Sequence, residues 1–242
     1  MDLILGTLVL RWYVFAFLGC FLLAGASDLG WRRTFVFAAW VWPLAWVSEV
    51  ASTRIGVPFG LYHYTDVTRG HELYLANVPL MDSLSFTFLA YAAFCLARGA
   101  LGSRSAASPL ALTGGILMML LDVVIDPVAV RGDRWFLGRI FYYPDGGVYF
   151  GVPLSNFVGW VLVGAAAIGG YLMMVPEGRG SRSGPGIALY YAVLAFNLAV
   201  TAWIGEWALL GIGLLLHVVL ASALYVVRRR PAMRPGLESQ KA

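Results

Sequence analysis

The chain has 242 residues, 60% of them hydrophobic and 12% charged, with nine Trp and a mean hydropathy of +0.76. This balance lies outside the range of soluble domains and points to an integral membrane protein, a single transmembrane domain over 1–242. The net charge of +4 reads as membrane topology and gives no support for nucleic-acid binding.

At about 20 apolar residues per crossing, the sequence predicts an all-α polytopic bundle of about seven helices. The first, 5–26, lacks a basic leader and carries Arg11 in its apolar run, which argues against a cleaved signal peptide. The second, 33–52, ends on Glu49, and an aromatic loop over 53–78 leads to the third, 79–97, which opens on Asp82. After the flexible linker 99–108, the fourth helix, 109–128, carries Asp122 and Asp126, spaced so that both carboxyls share a face. Asp126 stands next to Pro127, near the expected end of that helix.

A second aromatic loop, 129–151, leads to the fifth helix, 152–175, which opens near Asn156; linker 176–186 and helices 186–204 and 207–227 follow. Glu206 opens the last helix, and His217 within it reads as a hydrogen-bonded packing residue. Cys20 and Cys95 both fall inside helices, which argues against a disulfide framework or thiolate metal site.

Charge orients the bundle. Arg32, Arg33, Arg98, Arg104, Arg179, Arg182, Arg228, Arg229, Arg230, Arg234 and Lys241 fall at one set of helix ends, against Arg54, Arg69, Arg131, Arg134 and Arg139 at the other. The positive-inside rule makes the first set cytoplasmic, with a basic cytoplasmic tail over 228–242. The N-terminus and both aromatic loops then face the exoplasmic side of the cell membrane.

A carboxylate at membrane depth costs roughly 2.5–3.5 kcal/mol on insertion scales, so intramembrane acids mark functional sites. Counted from the cytoplasmic ends, Asp122 lies about 20 Å and Glu49 about 24 Å into a core about 30 Å thick. Asp82 and Asn156 approach the same layer. Helix-end placement accounts equally well for Glu49, Asp82 and Glu206, but not for Asp122. An internal echo strengthens the layer: Asn77-Val-Pro-Leu-Met-Asp82 reads against Gly151-Val-Pro-Leu-Ser-Asn156. Two parallel repeats about the membrane normal would pair Glu49 with Asp122 and Asp82 with Asn156.

Several chemistries lack their residues. The single Lys is Lys241, in the tail, so no retinal Schiff base can form. Three His, at 63, 71 and 217, are too few for a membrane diiron site, and no metal is expected. There is no phosphate loop and no nucleophile elbow. What remains is carboxyl chemistry beside aromatic faces. A buried carboxyl can stay protonated and act as general acid, and a close partner favours holding one proton between two groups. Aromatic faces stabilise cations, and Phe59, Tyr62, Tyr64, Tyr74, Trp135, Phe141, Tyr142, Tyr143, Tyr149 and Phe150 crowd the loops. An interfacial aromatic belt would give the same composition.

The run Gly56-Val-Pro-Phe59-Gly-Leu-Tyr62-His-Tyr64, then Val78-Pro79, Leu121-Asp122-Val-Val-Ile-Asp126-Pro127 and Tyr149-Phe-Gly-Val-Pro153-Leu-Ser-Asn156-Phe-Val-Gly-Trp160, resembles the carotenoid biosynthesis membrane proteins. The motifs span about residues 40–170. Named members of that family are carotenoid 1,2-hydratases, also called bisanhydrobacterioruberin hydratases, of the CruF type. The resemblance implies cofactor-independent addition of water to the terminal C1–C2 double bond of an acyclic carotenoid. It further implies membrane lipids and other enzymes of the pathway as partners. It carries no catalytic assignment, so residue roles rest on chemistry. Asp122 is the preferred acid, Asp126, Glu49 and Asp82 are its carboxyl partners, and Phe59, Tyr62, Tyr64, Tyr149, Asn156 and Trp160 form the substrate wall. A carotenoid end-group cyclase begins with the same protonation. A carotenoid-binding or transport protein could use the acids as a hydrogen-bond network. A prenyltransferase would need a second acidic motif on the cytoplasmic side, which is missing.

Overall fold

The structure, a computed structural model, describes residues 2–103 and 105–229. Arg104, Arg230, Arg234 and Lys241, with the rest of the expected basic tail and the side chains of Arg228 and Arg229, lie outside the described residues. Among the described residues eight α-helices form a polytopic bundle: α1 (Leu3–Leu10), α2 (Trp12–Asp28), α3 (Trp31–Ile55), α4 (Leu80–Leu101), α5 (Ala107–Ala129), α6 (Leu154–Met174), α7 (Ser183–Trp203) and α8 (Trp207–Arg229). Six are long and apolar enough to cross a membrane, and α1 with α2 makes a seventh span if the two count as one.

The predicted first helix is in fact this broken pair, bent by 81° at Arg11. A guanidinium left among hydrocarbon would be costly, and the bend turns it onto acids. Arg11 is 1% exposed and donates from Nε and Nη2 to Glu72 at 2.7 and 2.9 Å, while its Nη1 lies 2.9 Å from Asp82 Oδ1. Thr7 in α1 accepts from the Leu73 amide at 2.8 Å, so the short helix is tied to the first loop.

α4 forms the centre, with every residue from Phe86 to Arg98 buried. The closest helix pair is α5 with α6. A Cβ on Gly115 would stand 2.4 Å from the Val161 carbonyl oxygen, and one on Gly164 would stand 2.9 Å from the Gly115 Cα. Small residues let the two backbones approach, the usual device for helix pairing in lipid. That approach holds Asp122 and Asp126 of α5 against Asn156 of α6.

The two long loops meet at one end of the bundle. β1 (His63–Tyr64) from the first pairs antiparallel with β4 (Phe141–Tyr142) from the second, His63 facing Tyr142 and Tyr64 facing Phe141. Within the first loop β2 (Tyr74–Leu75) pairs with β3 (Val78–Pro79), Leu75 facing Val78. The second loop repeats this turn: Tyr149 bridges Val152. Ala76 and Phe150, the equivalent turn residues, both take left-handed backbone, at φ 59° and 50°. Such angles cost a residue with a Cβ, so their recurrence just before the matching Val-Pro-Leu starts of α4 and α6 is specific. The sequence echo is therefore also an echo in backbone.

At the opposite end Asp28 is closed off. Arg98 pairs with it through both terminal nitrogens, Tyr91 donates to Oδ2 at 3.1 Å, and the Arg182 amide donates to Oδ1 at 2.7 Å. These bonds fasten the α6–α7 connection to α2 and α4.

Candidate active site

Beneath the aromatic loops lies a cavity of about 130 Å³. Its polar wall is built from four helices and the Arg11 break: Glu49 from α3, Asp82 from α4, Asp126 from α5 and Asn156 from α6. Phe59, Tyr62, Tyr64, Phe141 and Tyr143 descend from the loops, and Phe86 and Trp160 close the side. An apolar arm of the lining is formed by Val14 and Phe17 of α2, Phe88 and Leu89 of α4 and Val193 and Phe196 of α7, with Asn197 beside them.

Local packing sets these side chains. The Phe59 amide donates to Ser52 Oγ at 2.9 Å, fixing the loop as it leaves α3. Gly159 lets that loop lie on α6, since a Cβ there would stand 2.6 Å from the Pro58 carbonyl oxygen. Phe86 and Trp160 then stack with ring centres 4.4 Å apart and planes at 11°, and Phe59 meets both at 5.8–5.9 Å. Tyr62 touches Tyr64, Phe141 and Tyr143 at 5.4, 5.6 and 5.8 Å. Ring faces and edges thus line the cavity, an arrangement suited to a cation.

The two aspartates of α5 have different surroundings. The Asn156 amide bridges them, donating to Asp122 Oδ2 at 2.7 Å and to Asp126 Oδ2 at 2.8 Å. Asp126 also accepts from the Tyr143 hydroxyl at 3.3 Å and stands on the cavity wall. Asp122 is fully buried behind it, off the wall, with Oδ1 unpartnered. α5 continues past Pro127 to Ala129, so Asp126 lies within the helix and does not end it. Across the space Glu49 Oε1 accepts from Tyr64 at 3.2 Å while its Oε2 is buried without a partner, as is Asp82 Oδ2.

Charge does not balance locally. Arg11 is the one cation on the cavity wall among the described residues, against Glu49, Asp82 and Asp126 on the wall and Glu72 and Asp122 behind it. One guanidinium cannot neutralise five carboxylates in an apolar interior. The loop hydroxyls keep their protons. Burial first, and the neighbouring Glu49 second, push Tyr62 and Tyr64 well above the ordinary tyrosine range; burial and Asp126 do the same to Tyr143. They are O–H donors at any physiological pH.

The structure thus brings Glu49, Asp82, Asp126, Asn156, Phe59, Tyr62, Tyr64 and Trp160 to one cavity. Tyr149 does not join them: the turn at Phe150 sends its ring onto Phe150 and Phe157, at 4.9 and 5.4 Å. Glu206 also stands apart, accepting from Arg131 at 2.8 Å and from Arg134. Sequence reasoning read Arg11 only as an interruption and passed over Glu72; a lone Arg in an apolar run was itself the available signal.

Fold and site together define a multi-pass membrane protein with a carboxyl-lined, aromatic-walled cavity inside its helical bundle. The family described as carotenoid biosynthesis protein matches residues 1–224, and the chain belongs to it. A curated relative, bisanhydrobacterioruberin hydratase of Haloarcula japonica, is 34% identical over 121 residues, which cover 50% of this chain and 38% of that protein. The match therefore spans well under half of the relative's length. No solved structure matches. The protein has a role in carotenoid biosynthesis.

Proposed function

We propose that the protein hydrates an acyclic carotenoid, adding water across the terminal C1–C2 double bond to give a tertiary alcohol without a cofactor. The observation that carries this reading is the Asn156 bridge between Asp122 and Asp126 on the wall of an aromatic cavity. It holds two carboxyls close enough to share a proton, and Asp126 faces the space.

The end group enters the cavity along the apolar arm, and Asp126 delivers its proton to C2. Asp122, behind it, is the coupled partner rather than the group in contact with substrate. The tertiary cation at C1 is stabilised by the faces of Phe86, Trp160 and Tyr62. A water held by the loop hydroxyls attacks C1, and a carboxylate takes the proton it releases. The arginine distribution supports an orientation with the cavity near the exoplasmic side and the C-terminus in the cytoplasm.

Expression in a host that accumulates lycopene, followed by mass spectrometry of the pigments, tests the reading. The expected product is heavier by one water. An isomer of unchanged mass would replace hydration with end-group cyclisation, and pigment bound but unaltered would replace it with a carotenoid-binding role.

A further inference from the structure

Three carboxyls face the cavity, and their surroundings differ in kind. Asp126 accepts hydrogen bonds from the neutral Asn156 amide and Tyr143 hydroxyl. Glu49 receives one only from the neutral Tyr64 hydroxyl. Asp82 alone stands against a cation, with Arg11 Nη1 2.9 Å from Oδ1. Asp82 lines the cavity, and its other oxygen, Oδ2, is buried without a hydrogen-bond partner.

Resting on the hydratase reading, we infer that Asp82 is the general base of water capture and that Arg11 is the positioning residue that keeps it anionic. Arg11 is itself fixed from behind by the two-toothed grip on Glu72, which lies off the cavity wall. Guanidinium and Glu72 cancel, so Asp82 brings one net negative charge to the cavity edge. That charge complements the cation which forms at C1. A weak base suffices for this step: a tertiary alcohol still carrying both protons of the water is a strong acid.

The step balances. The C1=C2 π pair takes the Asp126 proton at C2, leaving a cation at C1 and Asp126 as carboxylate. A lone pair of water forms the C1–O bond, and the surplus proton passes to Asp82 Oδ2. It then returns through cavity water to Asp126, so alkene plus one water gives one alcohol and both carboxyls are restored. The acid and the base thus sit on different helices, α5 and α4, and the end group lies between them.

The test uses the full-length protein in detergent, lycopene as substrate and deuterated water, reading two signals: alcohol formed, and deuterium in recovered lycopene. Asp82→Asn keeps the Arg11–Glu72 pair and is expected to lower alcohol formation about 100-fold, within the range for general bases. Deuterium exchange should persist, because protonation by Asp126 and its reversal do not need Asp82. Arg11→Gln is expected to give the same split, and Arg11→Lys to recover part of the hydration. Hydration by Asp82→Asn within about threefold of native would overturn the inference and leave the hydratase reading standing. So would loss of both signals by a variant that melts at the native temperature. Native protein that forms no alcohol would instead overturn the hydratase reading itself.

Discussion

The two ends of the bundle each bury a carboxylate beside an arginine, and they settle the cost in opposite ways. At the α2–α4 end, Asp28 takes bonds from Arg98, Tyr91 and the Arg182 amide until both oxygens are matched. At the loop end, Glu49, Asp82 and Asp122 each keep an oxygen without a partner, and Arg11 pairs with Glu72 and Asp82 alone among the five carboxyls. An ion pair whose carboxylate oxygens are both matched clamps helices together. An unsatisfied group beside a cavity is free to exchange protons with whatever enters.

The contrast can be broken from either side. Asp126→Asn should lower hydration by about 10²–10⁴-fold, the range for a lost general acid, with no loss of thermal stability, checked by product formation in membranes and melting in detergent. Asp28→Asn should do the reverse, destabilising by about 3–5 kcal/mol through a stranded Arg98. In that variant, activity per folded molecule should be retained, and the double change with Arg98→Met should melt above either single variant. Gly115→Val tests the contact that positions the site: overpacking against Val161 should cost about 1–3 kcal/mol and also weaken hydration by moving Asp126 from Asn156. Tyr64→Phe, which removes the donor to Glu49, should slow turnover by only severalfold. Tyr149→Phe should leave turnover unchanged, since that hydroxyl lies off the cavity wall.

The helices and the polar layer were legible because hydropathy sets length and counted rise sets depth. Glu49, Asp82 and Asn156, placed in one layer with Asp122 by that counting, line one cavity together with Asp126. The rotation of α5 was not legible. Residues four apart share a face but differ by about 40° around the axis, and that angle decides that Asp126 meets the cavity while Asp122 sits behind it. The break at Arg11 was hidden for a related reason: an apolar window registers one Arg as a small penalty, while its partners Glu72 and Asp82 lie in later segments. The Asp28 clamp was likewise invisible, with Arg98 at the far end of another helix.

The apolar arm of the cavity lining bears on the order of products in the proposed reaction. In that reaction a cavity of about 130 Å³ would take one end of a long polyene while the remainder stays in the arm and the surrounding lipid. For a pigment with two identical ends, the second can react only after the molecule has withdrawn and returned reversed. The singly modified pigment must therefore rise and fall before the doubly modified one accumulates, and dilution with fresh pigment should trap it midway.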